Sequence, residues 1–180
     1  MITTTTHTNQ QDRVDILFAY ANAFGTKNAR GEFVPLSDRQ IIKPDVMFES
    51  IVKAVKEKKK KLTIEKKFLN YQTFDDCLSK NPRVLVLMCH GMLRRDSRGR
   101  EHCSFCLENE EFPFEIDEYD EDRLLTLLNN KILNIDVIIL STCHSERLAK
   151  ILVKGIKPPP AVIAVNTTDQ IAQASTFKFN

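Results

Sequence analysis

The sequence predicts an α/β fold, a three-layer α/β/α sandwich around a mostly parallel central sheet. Short runs rich in Val, Ile and Leu recur along the chain, and each has the composition of a strand buried on both faces of a parallel sheet. Segments with the apolar spacing of helices alternate with these runs, as in repeated βαβ units. With 180 residues, 42% of them apolar, the chain is long enough for one domain with a substantial core.

The N-terminal part is predicted to lead from a disordered tail into the first strand and helix. Residues 1–12 are polar and rich in Thr and Gln, so a single domain is expected to span residues 13–180. Asp15–Ala21 is mostly apolar and predicts the first buried strand. A loop over residues 22–43 follows, and Pro44 suits the first turn of a helix. The apolar residues of that helix recur at helical spacing, at Met47, Ile51, Val52 and Val55.

The middle of the chain predicts two strands separated by a short helix. Leu62–Leu69 is more polar than the other strands, which favours a place near an edge of the sheet. Thr73 is expected to cap a short helix that ends at Leu78. The apolar run Arg83–Cys89 is the next predicted strand, and it leads directly into His90.

A polar stretch and a helix are predicted next. Residues 92–120 are predicted to be irregular, apart from a small hairpin with the arms Ser104–Glu108 and Phe112–Ile116. Glu121–Asn130 carries four leucines at helical spacing and therefore predicts a helix.

The last third of the chain holds a strand that ends in a reactive side chain. Ile135–Leu140 is apolar apart from one residue and runs into Ser141, Thr142 and Cys143. The remaining predicted elements are a helix capped by Ser145 and ending at Gly155, a buried strand over Ala161–Val165, and a last helix over Gln170–Phe179.

Composition and charge exclude several classes of protein. The formal net charge is only +2, and the eight lysines between Lys53 and Lys67 lack interleaved aromatic residues, so no nucleic-acid partner is predicted. No apolar run of about 18 residues exists, so no membrane span is expected. The N-terminus lacks the features of a signal peptide, and the five cysteines are an odd number. We therefore expect a cytoplasmic protein with reduced thiols.

Two of the predicted strands end in side chains that can act together in catalysis. In open α/β sheets, chemistry takes place just beyond the carboxyl ends of the strands. His90 follows one strand and Cys143 another, and if these strands are neighbours their backbones lie about 4.8 Å apart. The pattern indicates a cysteine nucleophile with a histidine base. The alternative is that both are ordinary turn residues, since buried cysteines are usually inert.

Three details favour the catalytic interpretation. Gly91 would let its backbone N–H approach a substrate oxygen closely. Cys143 opens a predicted helix, whose N-terminal amides stabilise a thiolate. The spacing of 53 positions from His90 to Cys143 fits the order and distance of caspase-type peptidases. Because Asp136 lies at the far end of its strand, it cannot orient His90, and a two-residue dyad is the simpler hypothesis.

The remaining candidates are weaker. Cys103 and Cys106 form a single Cys-x-x-Cys without a second pair, so no metal site is predicted. Gly-rich phosphate loops are missing from the sequence, so no nucleotide cofactor is predicted. Cys77 and Cys89 are expected to pack in the core, and His144 is expected to face solvent.

Five segments of the chain resemble the CHAT domains, a branch of the caspase-like (clan CD) cysteine peptidases. They correspond to the opening strand, the strand ending in His-Gly, the hairpin after it, the strand ending in Cys-x-Ser, and the closing strand and helix. These segments are Asp15–Asn22, Val84–Gly91, Phe105–Glu110, Val137–Glu146, and Ala161–Val165 with Ala172–Phe179. The resemblance implies a caspase-like sandwich with a small hairpin insertion after the His-Gly strand, and a cysteine endopeptidase that acts on a protein substrate.

The resemblance also implies roles for individual residues. His90 would be the catalytic histidine and Cys143 the nucleophile, and the backbone N–H groups of Gly91 and Cys143 would bind the oxyanion. No metal or other cofactor is implied. We expect the rim of the substrate site to include Met92, Ser141 and His144.

Departures from the family pattern leave an alternative open. Many clan CD peptidases have an acid two residues before the cysteine, where this chain has Ser141, so the specificity role of that acid does not transfer. The caspase pentapeptide around the nucleophile is absent, so cleavage after Asp is not predicted. The family's final segment is expected to be missing or abbreviated. The alternative is a non-catalytic adaptor or signalling module of the same fold, with an idle dyad.

Overall fold

The computed structural model describes residues 14–22, 25–27, 30, 32–35, 42–70, 72–109, 116–130 and 134–164. Ten strands and four helices form within these residues. The strands are β1 (Ile16–Tyr20), β2 (Gly25–Lys27), β3 (Phe33–Pro35), β4 (Ile64–Phe68), β5 (Val84–Met88), β6 (His90–Arg95), β7 (Glu101–Glu108), β8 (Ile116–Asp120), β9 (Val137–Ser141) and β10 (Ala161–Ala164). The helices are α1 (Pro44–Glu57), α2 (Thr73–Ser79), α3 (Glu121–Asn130) and α4 (Ser145–Gly155).

Five strands form a central sheet in the order β10-β9-β5-β1-β4, and every neighbouring pair is parallel. The predicted mixed α/β fold with a mostly parallel sheet is confirmed. β4 lies at one edge, as its polar composition predicted. The strand order reverses between β1 and β5, because the chain adds β4 on one side of β1 and then β5, β9 and β10 on the other. Open α/β sheets usually bind ligands beside such a reversal, outside the carboxyl ends of the strands.

Helices pack on both faces of this sheet in the described part of the chain. Leu17, Leu85 and Ile138 belong to a core that α2, α3 and α4 complete. The next residues along β1 and β5, Phe18 and Val86, point to the opposite face of the sheet and belong to a second core, which α1 completes. The arrangement is compatible with the predicted three-layer sandwich.

A second, antiparallel sheet follows β5 directly and has the order β6-β7-β8. The prediction that residues 92–103 are irregular is therefore wrong, because β6 and β7 form a hairpin there. The sequence of this hairpin lacks the apolar alternation that predicts strands, because several of its positions hold charged side chains. These side chains pair across neighbouring strands, as Arg95 does with Glu101 at 2.8 Å. Most of the predicted second hairpin arm, residues 112–115, lies outside the described part of the chain, and strand β8 begins at Ile116.

Three local predictions, on one loop and on the starts of two helices, differ from the structure. The predicted loop after β1 contains the antiparallel pair β2–β3. Thr73 is the first residue of α2 and not its cap; its N–H donates to Asn70 Oδ1 at 2.7 Å, and the Asn70 N–H donates to Thr73 Oγ1 at 3.0 Å. Ser145 is likewise the first residue of α4, and His144 occupies the N-cap position.

Both ends of the chain lie outside the described residues. The predicted disordered tail, residues 1–12, falls there, and so does the last predicted helix, Gln170–Phe179. Among the helices formed by residues 14–164, none has the length and apolar character needed to span a membrane.

Candidate active site

The two strands that carry the candidate residues are direct neighbours. β5 and β9 run parallel, and their register ends with Met88 opposite Ser141. One further hydrogen bond, from the Cys89 N–H to the Ser141 carbonyl at 3.4 Å, continues the contact. His90 and Cys143 each lie two positions beyond the last pair. The hypothesis that these strands pair and end at the same edge of the sheet is confirmed.

Gly91 brings the two strand extensions into close contact. A Cβ atom built on Gly91 would lie 2.3 Å from the carbonyl oxygen of Cys143 and 2.5 Å from Oγ1 of Thr142. No side chain fits there, because real Cβ atoms do not approach heavy atoms so closely. The main chain at the start of β6, next to His90, therefore packs directly on the main chain of Cys143.

The turn between β9 and α4 presents Cys143 between buried residues. Thr142 is 2% exposed and Ser145 is fully buried, whereas Cys143 is partly exposed. His144 has φ 58° and ψ 21°, a left-handed conformation that costs a residue other than glycine about 1–2 kcal/mol. Such strained turns are common at functional sites. Cys143 lies two positions before α4, where the N-terminal end of the helix favours negative charge.

His90 begins β6, where it lies opposite Cys106 of β7. The residue is half-buried, and its Nε2 atom is buried. This position makes His90 the junction of the two sheets, because β5 of the parallel sheet ends two residues before it.

Burial distinguishes Cys143 from the four other cysteines. Cys77, Cys89, Cys103 and Cys106 are buried, and Cys143 is partly exposed. Burial raises the pKa of all four buried thiols, to about 12 for Cys106. At neutral pH they are protonated and therefore weak nucleophiles. The core positions predicted for Cys77 and Cys89 are confirmed.

The structure places the other predicted site residues at different depths. Met92 is half-buried in β6, and Ser141 ends β9 with 2% exposure. His144, expected to face solvent, is half-buried. Asp136 lies at the opposite end of the sheet, as predicted, where its Oδ2 accepts a hydrogen bond from Arg83 Nε at 2.8 Å. Within the described ranges, no group of three or more His, Cys, Asp or Glu side chains could hold a metal ion.

Comparison with models of known protein families finds no match for this chain. Comparison with curated protein sequences finds none that is significantly similar. The likeness to CHAT domains therefore depends on the five segments described above and stays a prediction.

One buried carboxyl group near the site was missed from the sequence. Glu108 ends β7, is 9% exposed, and accepts a hydrogen bond from the N–H of Asn22 at 3.1 Å, just beyond the end of β1. Burial raises the pKa of its carboxyl group above the ordinary value of 4.5. The alternation of side chains along β7 could have indicated its burial, because it places Glu108 on the same side of the strand as the buried Cys106. The nine acids between Glu108 and Asp122 favour a solvated surface instead, and this misleads about Glu108.

Replacing Glu108 with Gln is expected to stabilise the protein at neutral pH. Because burial raises the carboxyl pKa in the folded state, the ionised group destabilises the fold at any pH above that folded pKa. The penalty disappears below the unfolded value, about 4.3, where both states are protonated. The melting temperature of Glu108→Gln should exceed that of the wild type at pH 7 and converge with it below pH ~4.

Glu49→Gln on the exposed surface of α1 is the matched control for Glu108→Gln. Its melting temperature should follow that of the wild type at every pH. A lower melting temperature for Glu108→Gln at pH 7, with the control unchanged, would contradict the assignment of a destabilising buried carboxylate.

Proposed function

We propose that this protein is a cysteine endopeptidase in which Cys143 is the nucleophile and His90 the general acid–base group. The observation that carries the proposal is the parallel register of β5 and β9, together with the packing of Gly91 on the Cys143 carbonyl. This contact holds an imidazole-bearing segment and a thiol-bearing segment side by side at the carboxyl edge of the sheet, where α/β proteins perform their chemistry.

The proposed reaction proceeds through an acyl-enzyme. The Cys143 thiolate attacks a peptide carbonyl, and a C–S bond forms as the C–N bond breaks. His90 protonates the leaving amine, then takes a proton from the water that hydrolyses the thioester. Backbone N–H groups of Gly91 and Cys143 are proposed to bind the oxyanion, each contributing about 3 kcal/mol.

The surroundings of Cys143 support this assignment. It is the partly exposed cysteine of the five, and it lies two positions before the first residue of α4. The antiparallel sheet β6-β7-β8 begins at His90, where CHAT domains carry a hairpin, and this supports a caspase-like fold. A protein substrate in the cytoplasm, with no cofactor, is part of the proposal.

A non-catalytic adaptor of the same fold is the second candidate. One observation favours it: Ser141 occupies the position where many clan CD peptidases have an acid, and this residue is buried. In the adaptor, Cys143 would be a partly shielded thiol that His90 does not activate.

Alkylation of Cys143 separates the two candidates. The folded protein and the urea-unfolded chain are treated with iodoacetamide at pH 7, and the rate at each cysteine is followed by peptide mass spectrometry. An activated Cys143 should react about tenfold faster in the folded protein than in the unfolded chain, because thiolate is the reactive form. The variant His90→Ala should remove this acceleration. A folded rate at or below the unfolded rate, unchanged by His90→Ala, would favour the adaptor.

A further inference from the structure

Arg147 connects the helix that follows Cys143, α4, to the second sheet. Arg147 lies in the first turn of α4, and its Nη2 donates a hydrogen bond to the backbone carbonyl of Glu101 at the start of β7. Its Nη1 donates to Glu101 Oε2 at 3.3 Å. Its Nε lies 3.8 Å from Oε2 of Glu121, the first residue of α3. The guanidinium therefore contacts two elements besides its own helix.

The carboxylates around Arg147 are themselves held by other groups. Glu121 Oε2 accepts a hydrogen bond from the backbone N–H of Cys103 at 2.9 Å. Glu101 also accepts two hydrogen bonds from Arg95 of β6, at 2.8 and 3.1 Å. Hydrogen bonding from Arg95 and, to a lesser degree, the charge of Arg147 lower the pKa of the Glu101 carboxyl group, so it stays ionised. The network joins α4 to β6, β7 and the start of α3.

The two halves of the proposed dyad belong to different sheets. Cys143 follows β9 of the parallel sheet, whereas His90 is the first residue of β6 in the antiparallel sheet. Packing of Gly91 on the Cys143 carbonyl fixes one point of contact between them. Arg147, in the first turn of α4, adds a second contact between this turn and the antiparallel sheet through its hydrogen bonds to Glu101 of β7.

We infer that Arg147 is a positioning residue, which holds the Cys143 turn against the sheet that begins with His90. This inference rests on the proposed peptidase function. A planar guanidinium suits the task, because its fixed fork of donors binds both the carbonyl and the carboxylate of Glu101 while Nε faces the Glu121 carboxylate at 3.8 Å. A displacement of about 1 Å in a catalytic group can cost 100-fold in rate.

The test compares Arg147→Met and Arg147→Lys with the control Lys150→Met in the full chain. Lys150 lies one turn further along α4, is exposed, and pairs only with Glu146 of its own helix among the described contacts. Arg147→Met should lower kcat on a protein substrate by about 10–100-fold with KM within threefold, because misplaced groups slow the chemical step. Arg147→Lys should recover part of this loss, and Lys150→Met should match the wild type.

A second readout separates positioning from a general structural role. In the wild type, His90→Ala is expected to slow iodoacetamide labelling of Cys143; in the Arg147→Met background, the same change should have little further effect. Circular dichroism establishes that each variant is folded. If Arg147→Met does not fold, the measurements are made on Arg147→Lys, for which an unchanged kcat overturns the inference.

The two proposals fail in different ways. If labelling of Cys143 depends on His90 equally in the wild type and in Arg147→Met, the positioning role is wrong and the peptidase proposal stands. If labelling does not depend on His90 in the wild type, the peptidase proposal fails, and the inference about Arg147 fails with it.

Discussion

Hydrolysis of a protein substrate is expected to fall by roughly 10⁴-fold or more when Cys143 is replaced with Ala, because the acyl-enzyme can no longer form. His90→Ala should reduce kcat by about 10²–10⁴-fold, the usual contribution of a general acid–base group. The assay is release of a fluorescent fragment from labelled casein, with purified full-length chains at equal concentration.

The pattern of these losses identifies the dyad as a unit. The double variant Cys143→Ala/His90→Ala should be no slower than Cys143→Ala alone, because the imidazole has no thiol left to serve. Cys77→Ala, the same change at a buried thiol of α2, should retain wild-type turnover per folded molecule. Equal turnover in the wild type and in Cys143→Ala would exclude the proposed mechanism.

Gly91→Ala is expected to damage both stability and activity. The added methyl group would lie 2.3 Å from a main-chain oxygen, so β6 or the Cys143 turn must shift. Overpacking of this kind is expected to lower the unfolding free energy by about 1–3 kcal/mol, which a urea titration of the variant would measure. Since the shift separates the segments that carry His90 and Cys143, kcat should fall by roughly 100-fold.

Gly155→Ala provides a control with the same chemical change. Its added methyl group would approach Leu125 Cδ2 at 2.5 Å, but that atom is the end of a flexible side chain and can move. Gly155 also lies at the far end of α4 from Cys143. The control should therefore lose less stability and keep its turnover. Wild-type stability and turnover in Gly91→Ala would show that the contact with Cys143 is not tight.

The features that sequence predicted well depend on burial and on local spacing. β5 and β9 lie inside the parallel sheet, so both faces of each strand are apolar and the runs stand out. α3 spans Glu121–Asn130, the predicted limits, because its leucines recur at helical spacing. The pairing of β5 with β9 was a hypothesis that composition alone could not derive, because β6, β7 and β8 lie between these strands in the chain.

The features that sequence missed depend on contacts between distant residues. The β6–β7 hairpin escaped prediction because Arg95 of β6 finds an acidic partner on β7 and Arg94 finds one on β8. The left-handed conformation of His144 could not be predicted, since only glycine commonly signals it. The packing of Gly91 on Cys143 and the contacts of Arg147 appear only once both sheets are formed.

For the proposed peptidase, the pairing of β5 with β9 has a consequence for when activity can first arise during biosynthesis. It joins Val84 to Val137, so most of the chain must leave the ribosome before the pair can form. Until then the thiol and the imidazole are far apart on a flexible polymer. A nascent chain of the proposed peptidase is thus expected to stay inactive until β9 has been made and has paired with β5.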